Sequence, residues 1–134
     1  MDGTEPSCGP GAPPHFDSLR DMSSTALPEV AKIAQDLIRI DTSNYGGGKA
    51  NGEREAAEYV GEFLSSLGLE PEYYEPVPRR TNVMARIRGR DRERPALVVH
   101  GHLDVVPAMA EDWSVDPFEG VVRDGMLWAA APWT

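Results

Sequence analysis

Apolar residues recur at helical spacing in two parts of the chain. In residues 28–40 they stand three and four positions apart, and Pro28 followed by Glu29 suits a first helical turn. Between Asn51, a suitable cap, and Gly68, a suitable stop, a second set forms one continuous stripe. Both segments are therefore predicted to be amphipathic helices, each with one face turned to a core.

Strand patterns occupy the second half of the chain. Residues 69–74 predict a short strand, and residues 83–87 alternate apolar and polar positions as a second strand would. Residues 96–99 are a continuous apolar run, which is typical of a strand covered on both faces. In residues 118–128 an Asp-Gly pair between apolar stretches predicts a hairpin. The pattern predicts the α/β class, with a layered sheet flanked by helices.

Composition divides the chain into three parts. Residues 1–24 are rich in proline, glycine and serine without apolar periodicity, so we expect a disordered leader there. Residues 25–128 hold the predicted elements, and residues 129–134 form a short tail. The one cysteine, Cys8, lies in the leader, which excludes an intramolecular disulfide and a thiolate metal cage.

Charge and hydropathy exclude two classes of partner. The formal net charge of −9 would repel a phosphate backbone, and the arginines of residues 79–94 are interspersed with acidic residues, so no nucleic acid partner is expected. Nothing approaches the roughly 20 consecutive apolar residues of a membrane span, so no membrane partner is expected. Because no apolar run follows a basic patch at the N-terminus, we expect a cytoplasmic protein.

Candidate chemistry lies where the predicted covered strand runs into His-Gly-His-Leu-Asp at residues 100–104. Ligand sites in α/β sheets gather at the carboxyl ends of strands. His102 and Asp104 stand two apart, so they can share one face, and the carboxylate can hold the imidazole N–H as it does beside a bound metal. The same pair also fits a structural histidine capped by a neighbouring carboxylate. His100 is expected to pack or hydrogen-bond, and His15, in the leader, to have no role.

Several ordered motifs together resemble a known family. They are His-Gly-His-Leu-Asp-Val-Val-Pro at 100–107, Asp112-Trp113, Asp116-Pro117-Phe118 and Arg-Asp-Gly-Met-Leu-Trp at 123–128, with weaker echoes at 41–43 and 81–83. Over about residues 27–128 the chain is similar to the aminoacylase, acetylornithine deacetylase, succinyl-diaminopimelate desuccinylase and carboxypeptidase G family of dinuclear zinc hydrolases, peptidase family M20.

The resemblance implies a fold, an activity and a site. The fold would be the N-terminal part of a zinc-peptidase-like catalytic domain, with His102 as a zinc ligand and Asp104 as the catalytic-site residue that orients its imidazole. The family uses two zinc ions, for which cobalt or manganese can substitute, to hydrolyse the amide or peptide bond of a small acyl-amino acid or peptide. Trp113, Pro117, Phe118 and Trp128 would serve in loop packing. A homodimer is expected only with the lid domain that relatives carry.

The tail departs from the family pattern. After the tryptophan, relatives continue Gly-Arg-Gly-Ala-x-Asp-Met-Lys, whose aspartate bridges the metals, whereas residues 129–134 are Ala-Ala-Ala-Pro-Trp-Thr. Written in GC-rich codons, the family sequence with its first G deleted encodes this tail followed by a stop. We therefore interpret the tail as out of frame, and expect the chain alone to be inactive with weak metal uptake.

Two alternatives to the hydrolase interpretation stay open. In the first, the chain is a non-catalytic remnant or interaction fragment of such an enzyme. In the second, it is an unrelated α/β binding domain that carries His-x-Asp by chance.

The frame hypothesis is tested by sequencing the gene downstream of the Thr134 codon. We expect a shifted frame there to encode further hydrolase motifs. If none of the frames continues the family pattern, the out-of-frame interpretation of residues 129–134 is wrong.

Overall fold

The structure is a computed structural model that describes residues 18–130, with side chains from residue 28 onward. Residues 1–17 of the predicted leader lie outside this part, as do residues 131–134 of the tail, so disorder stays a prediction for residues 1–17, whereas residues 18–24 lie in the first helix. Two α-helices, six short strands and one 3-10 turn follow each other in the order α1 Ser18–Ile38, β1 Asn44–Gly46, β2 Lys49–Ala50, α2 Arg54–Ser66, β3 Glu72–Val77, β4 Arg80–Met84, 3-10 Ala110–Asp112, β5 Val121–Arg123 and β6 Met126–Trp128.

The chain divides into two compact units, Met1–Lys32 and Ile33–Thr134, and the boundary between them falls within helix α1. In the first unit the helix begins at Ser18, so Pro28 lies inside it rather than in its first turn. In the second unit the last turns of α1 meet two other elements. Asp36 accepts a hydrogen bond from Tyr59 Oη of α2 at 2.9 Å, and Gln35 Nε2 donates to the Gly120 carbonyl at 2.8 Å.

Helix α2 confirms the second predicted helix, and its ends follow local backbone chemistry. Gly68 adopts the left-handed φ of 79° that glycine tolerates, and its N–H bonds the Ser65 carbonyl at 2.9 Å, which ends the helix. The cap is Glu53 rather than the predicted Asn51. The Glu53 N–H donates to the Arg79 carbonyl at 2.8 Å, so the start of α2 is tied to the turn between β3 and β4.

Strands β3 and β4 form an antiparallel hairpin that packs against α2. The two-residue turn at Pro78 and Arg79 places Arg79 at a φ of 67°, which an ordinary side chain rarely adopts. On the helix side, Gly61 lies against the Tyr73 ring so closely that a Cβ there would overlap the phenol. The absence of a side chain at Gly61 therefore allows helix and hairpin to meet at this point.

The described strands form three separate antiparallel pairs, β1 with β2, β3 with β4, and β5 with β6. The last pair confirms the predicted hairpin, with Asp124 and Gly125 both at positive φ as a type I′ turn requires. Helices and short antiparallel pairs are consistent with part of an α/β domain. The layered sheet predicted from the apolar run is not formed among residues 18–130.

Residues 96–99 depart most from prediction. They belong to no strand, and Leu97, Val98 and Val99 are 88%, 77% and 87% exposed. The expectation of a covered strand is therefore wrong for this chain. A strand with a continuous apolar sequence is stable only when other elements cover both of its faces. None of the described residues covers residues 96–99 in this way.

The buried part of the described residues is small, and about half of its side chains are polar. Ala56, Ala57, Pro117 and Ala130 are buried apolar residues, whereas Thr42, Ser43, Glu53 and Thr81 are buried polar ones. Buried polar groups need hydrogen-bond partners, so this region depends on directed contacts more than on apolar packing. Across residues 18–130, no helix has the length and apolar character needed to cross a membrane.

The Glu75 carboxylate joins the hairpin turn to α2. It accepts hydrogen bonds from the Thr81 hydroxyl, from Arg54 Nη1 at 2.9 Å and from the Arg79 N–H at 3.1 Å. These donors, the Thr81 hydroxyl first, lower the pKa of Glu75 to about 2, because each one favours the ionised form.

Replacing Glu75 should make stability depend on pH in a defined window. The pKa of Glu75 is lower in the folded chain than its ordinary value of 4.5, so its contribution to stability is complete above about pH 4.5 and fades as the pH falls towards 2. We expect Glu75→Gln to lower the free energy of unfolding at pH 7, with the difference from wild type shrinking below pH 4.5. Urea melts at several pH values measure this. The control Glu58→Gln removes the other carboxylate paired with Arg54 and should show a smaller difference.

The exposed apolar segment 96–99 should promote self-association. Unpaired backbone beside exposed apolar side chains is a template for intermolecular strand pairing. We expect Val98→Lys to reduce the associated fraction measured by sedimentation velocity. The control Val122→Lys changes a 54% exposed valine in the paired strand β5, and should leave association near the wild-type level. A cooperative urea transition from a monomeric wild-type chain would contradict the prediction.

Candidate functional site

The candidate site is built on the pairing of residues 41–44 with residues 103–105. Ser43 and Val105 form a parallel bridge, the Asn44 N–H donates to the Val105 carbonyl at 2.9 Å, and the Val105 N–H donates to the Thr42 carbonyl at 3.3 Å. The Thr42 hydroxyl also donates to the Leu103 carbonyl at 2.7 Å. These hydrogen bonds to Leu103 and Val105, the two neighbours of Asp104, therefore fix the backbone on both sides of Asp104.

Local chemistry explains why residues 41–44 leave α1 in this shape. Asp41 Oδ1 accepts the Ser43 N–H at 2.9 Å, the short side-chain turn that aspartate favours after a helix. This turn places Thr42 and Ser43 in the interior, where they are 2% and 1% exposed. The Thr42 hydroxyl and carbonyl are thereby directed at the segment that carries the candidate residues.

His102 and Asp104 come together as the sequence predicted. His102 Nδ1 lies 2.8 Å from the Asp104 carbonyl oxygen and 3.0 Å from Asp104 Oδ1. Because both oxygens only accept hydrogen bonds, Nδ1 carries the hydrogen and Nε2 keeps its lone pair. The His102 side chain is 52% exposed, so this lone pair can be reached from outside the chain. Whether it binds a metal stays a prediction.

The Asp104 carboxylate is 27% exposed and lies among hydrogen-bond donors. Asn44 Nδ2 donates to Oδ2 at 2.8 Å, and Arg80 Nη2 lies 3.9 Å from the same oxygen. These surroundings hold the pKa of Asp104 below its ordinary value, chiefly through the Asn44 hydrogen bond, although burial acts in the opposite direction. Asp104 is therefore ionised at neutral pH and accepts from His102.

A half-buried ion pair lies beside Asp104. Arg80 Nε lies 3.1 Å from Glu53 Oε2, and the Glu53 side chain is only 8% exposed. Glu53 Oε1 has no hydrogen-bond partner within residues 18–130. Sequence analysis did not identify Asn44, Arg80 or Glu53 as parts of the site. The only signal was the Asp-Thr-Ser echo at 41–43, which ends one residue before Asn44.

His100, the other described histidine, does not join the site. His100 is exposed and makes no hydrogen bond or ion pair inside the described ranges, so the expected packing or hydrogen-bonding role is not seen there. His15 lies outside the described residues. Of the expected packing residues, Pro117 is fully buried and its carbonyl accepts the Ala130 N–H at 2.7 Å.

An apolar cavity of about 340 Å³ is lined in part by His102. Apolar residues from the end of α1, from the segment after His102 and from the β5–β6 region also line it, including Leu37, Ile38, Leu103, Phe118 and Leu127. The candidate residue His102 therefore lies at the edge of an apolar space.

The described residues do not hold a complete zinc site. No group of three or more His, Cys, Asp or Glu residues that could hold a metal occurs within residues 18–130. Zinc in proteins takes four ligands, of which three or more come from the protein. The chemistry of His102 fits one such ligand, because a neutral imidazole whose Nδ1–H is bonded has its lone pair on Nε2, but a complete site needs ligands from elsewhere.

No protein-family model matches the chain, but individual curated proteins are similar to it. The chain is 38% identical over 106 residues to a succinyl-diaminopimelate desuccinylase of Methylobacterium radiotolerans, which covers 75% of this chain and 25% of the relative. It is 33% identical over 106 residues to a probable succinyl-diaminopimelate desuccinylase of Staphylococcus epidermidis, covering 77% and 24%. It is also 27% identical over 101 residues to an N-formyl-4-amino-5-aminomethyl-2-methylpyrimidine deformylase of Halalkalibacterium halodurans, covering 74% and 23%.

The chain therefore spans about a quarter of the length of the curated relatives it matches. The names of these relatives describe removal of a succinyl or a formyl group from a nitrogen compound. The chain is thus homologous to part of enzymes that hydrolyse amide bonds, as the motif resemblance implied.

Proposed function

We propose that this chain is the N-terminal part of the catalytic domain of a metal-dependent amide hydrolase of peptidase family M20. The observation that carries the proposal is the His102 imidazole, whose Nδ1–H is held by Asp104 so that Nε2 is free to bind a metal. The similarity to desuccinylases and a deformylase supports the reaction class.

The roles of the two residues follow from their chemistry. A bound metal of this kind lowers the pKa of a water and polarises an amide carbonyl. His102 supplies a neutral nitrogen donor, and Asp104 fixes the tautomer and the ring orientation, which makes the imidazole a stronger ligand. Zinc is the proposed metal, and cobalt and manganese suit similar nitrogen and oxygen donors. The remaining ligands would come from the part of the protein that corresponds to the other three quarters of the relatives.

The proposal extends to substrate and setting. The substrate would be a small acyl-amino acid or peptide, the protein would act in the cytoplasm, and a homodimer would form only through a lid domain. These statements rest on the family resemblance and on the names of the relatives.

A second candidate is that this chain by itself is a non-catalytic remnant or interaction fragment. One observation favours it, because the described residues hold no group of three potential metal ligands. An unrelated α/β binding domain is less favoured, since the 38% identity extends over 75% of the chain.

The test compares this chain with a longer protein. The longer protein joins residues 1–128 to the downstream coding sequence, translated in the reading frame that continues the hydrolase motifs. We expect the longer protein to hydrolyse N-succinyl- or N-formyl-amino compounds with zinc or cobalt, and the present chain to show neither activity nor tight zinc binding. In the longer protein, His102→Ala should abolish activity, and Asp104→Asn should weaken metal affinity about 10- to 100-fold.

His100→Ala is the matched control, because His100 is an exposed imidazole two positions away that makes no described contact. It should leave activity unchanged. Stoichiometric, tight zinc binding by the present chain, or full activity of the His102→Ala protein, would contradict the proposal.

A further inference from the structure

We propose that Asn44 is a positioning residue of this site, which locks the Asp104 carboxylate and thereby sets the tautomer and direction of the His102 ring. Its significance for metal binding rests on the proposed function, whereas the positioning itself rests on the contacts of Asn44 alone.

The orientation of the Asn44 amide is determined by its neighbours. Asn44 Oδ1 accepts the Gly46 N–H at 3.0 Å, a role that the NH₂ group cannot fill. The NH₂ group must therefore face the other way, where it donates to Asp104 Oδ2 at 2.8 Å. The amide bridges a donor on one side and an acceptor on the other, so exchanging its two ends would break both hydrogen bonds.

The backbone of Asn44 is fixed as firmly as its side chain. Its N–H donates to the Val105 carbonyl at 2.9 Å, one residue beyond Asp104. Backbone and side chain thus reach two consecutive residues of the partner segment. Asn44 cannot move relative to Asp104 without losing one of these bonds.

The two oxygens of Asp104 have separate tasks. Oδ2 accepts from Asn44 and Oδ1 lies 3.0 Å from His102 Nδ1, so the plane of the carboxylate is held at both ends. If Oδ2 were released, the carboxylate could rotate and leave the imidazole with the Asp104 backbone carbonyl as its one partner. The neutral ring could then adopt the other tautomer, which puts the hydrogen on Nε2.

Arg80 does not replace Asn44 in this arrangement. Its Nη2 lies 3.9 Å from Asp104 Oδ2, which is beyond hydrogen-bond distance. Its Nε pairs with the buried Glu53 carboxylate at 3.1 Å, and this pairing keeps the guanidinium away from Asp104 Oδ2. The one short hydrogen bond to Oδ2 among the described residues is therefore the one from Asn44.

The test reads the His102 tautomer directly in the 134-residue chain, without metal or substrate. Two-bond proton–nitrogen correlation spectra at about pH 8.5, well above the ordinary imidazole pKa of about 6.5, distinguish Nδ1–H from Nε2–H. We expect Nδ1–H to predominate in the wild type. Asn44→Ala should lower the ratio of Nδ1–H to Nε2–H about fivefold or more, because the carboxylate loses its anchoring donor.

Asn44→Asp is the sharper variant. It keeps an acceptor for the Gly46 N–H but places a second carboxylate against Asp104 Oδ2, and the repulsion should shift the ratio at least as far. Asn82→Asp is the matched control, because it makes the same change at an exposed β4 residue whose side chain has, among the described residues, one hydrogen bond, to the Tyr74 carbonyl at 3.4 Å. Thr42→Val removes the hydroxyl bond to Leu103 and controls for general loosening of the paired segments. Both controls should keep the wild-type ratio.

Slow hydrogen exchange of the Asn44 and Val105 amides verifies that the two segments stay paired in each variant. If pairing is lost in the alanine variant, the Asn44→Asp variant decides. An unchanged ratio in a paired Asn44 variant overturns the positioning role, as does an equal change in Thr42→Val. Because the spectra need no metal, failure of the longer protein to hydrolyse amides would overturn the proposed function and leave the Asn44 result standing.

Discussion

The contact between residues 41–44 and residues 103–105 is the constraint on which the candidate site depends. These segments are about 60 positions apart in sequence, and a parallel bridge with hydrogen bonds on both sides of Asp104 joins them. Backbone hydrogen bonds are directional, so they determine the register as well as the proximity of the two segments. A slip of one residue would turn Asp104 away from Asn44, since successive side chains of an extended segment face opposite sides.

The same pairing connects the site to the rest of the second unit. The Asn51 N–H returns to the Ser43 carbonyl at 3.0 Å, and two residues later the Glu53 N–H reaches the Arg79 carbonyl. Through these bonds, the start of α2 and the β3–β4 turn are attached to the segment that carries Asn44. As a result of this attachment, Arg80 lies 3.9 Å from Asp104 Oδ2 and Glu53 pairs with Arg80. The surroundings of the candidate ligand are thus assembled from polar contacts, whereas the two most exposed large apolar side chains of the described residues, Leu97 and Val99, lie just before it.

Among the described residues, the hydrogen bonds of the His102 imidazole lie on one side of the ring, at Nδ1. The side of the imidazole that faces Asp104 is organised, because its donor has two acceptors and its carboxylate partner has a donor of its own. No cluster of three potential metal ligands occurs among the described residues, and His102 also lines an apolar cavity. This arrangement is compatible with the proposal that His102 is one ligand of a larger site, as is the similarity to about a quarter of each relative.

Local sequence determined those features of this protein whose physical cause is local. The apolar stripe and Gly68 predicted α2, the Asp-Gly pair predicted the β5–β6 hairpin, and the spacing of His102 and Asp104 predicted that their side chains meet. Each of these depends on residues a few positions apart, through helical periodicity, turn geometry or the alternation of an extended chain. Tertiary structure alone decided that residues 96–99 are uncovered, that Asn44 and Arg80 lie beside Asp104, and that Glu53 pairs with Arg80. Those outcomes depend on which distant segments pair, and no pattern within a single segment carries that information.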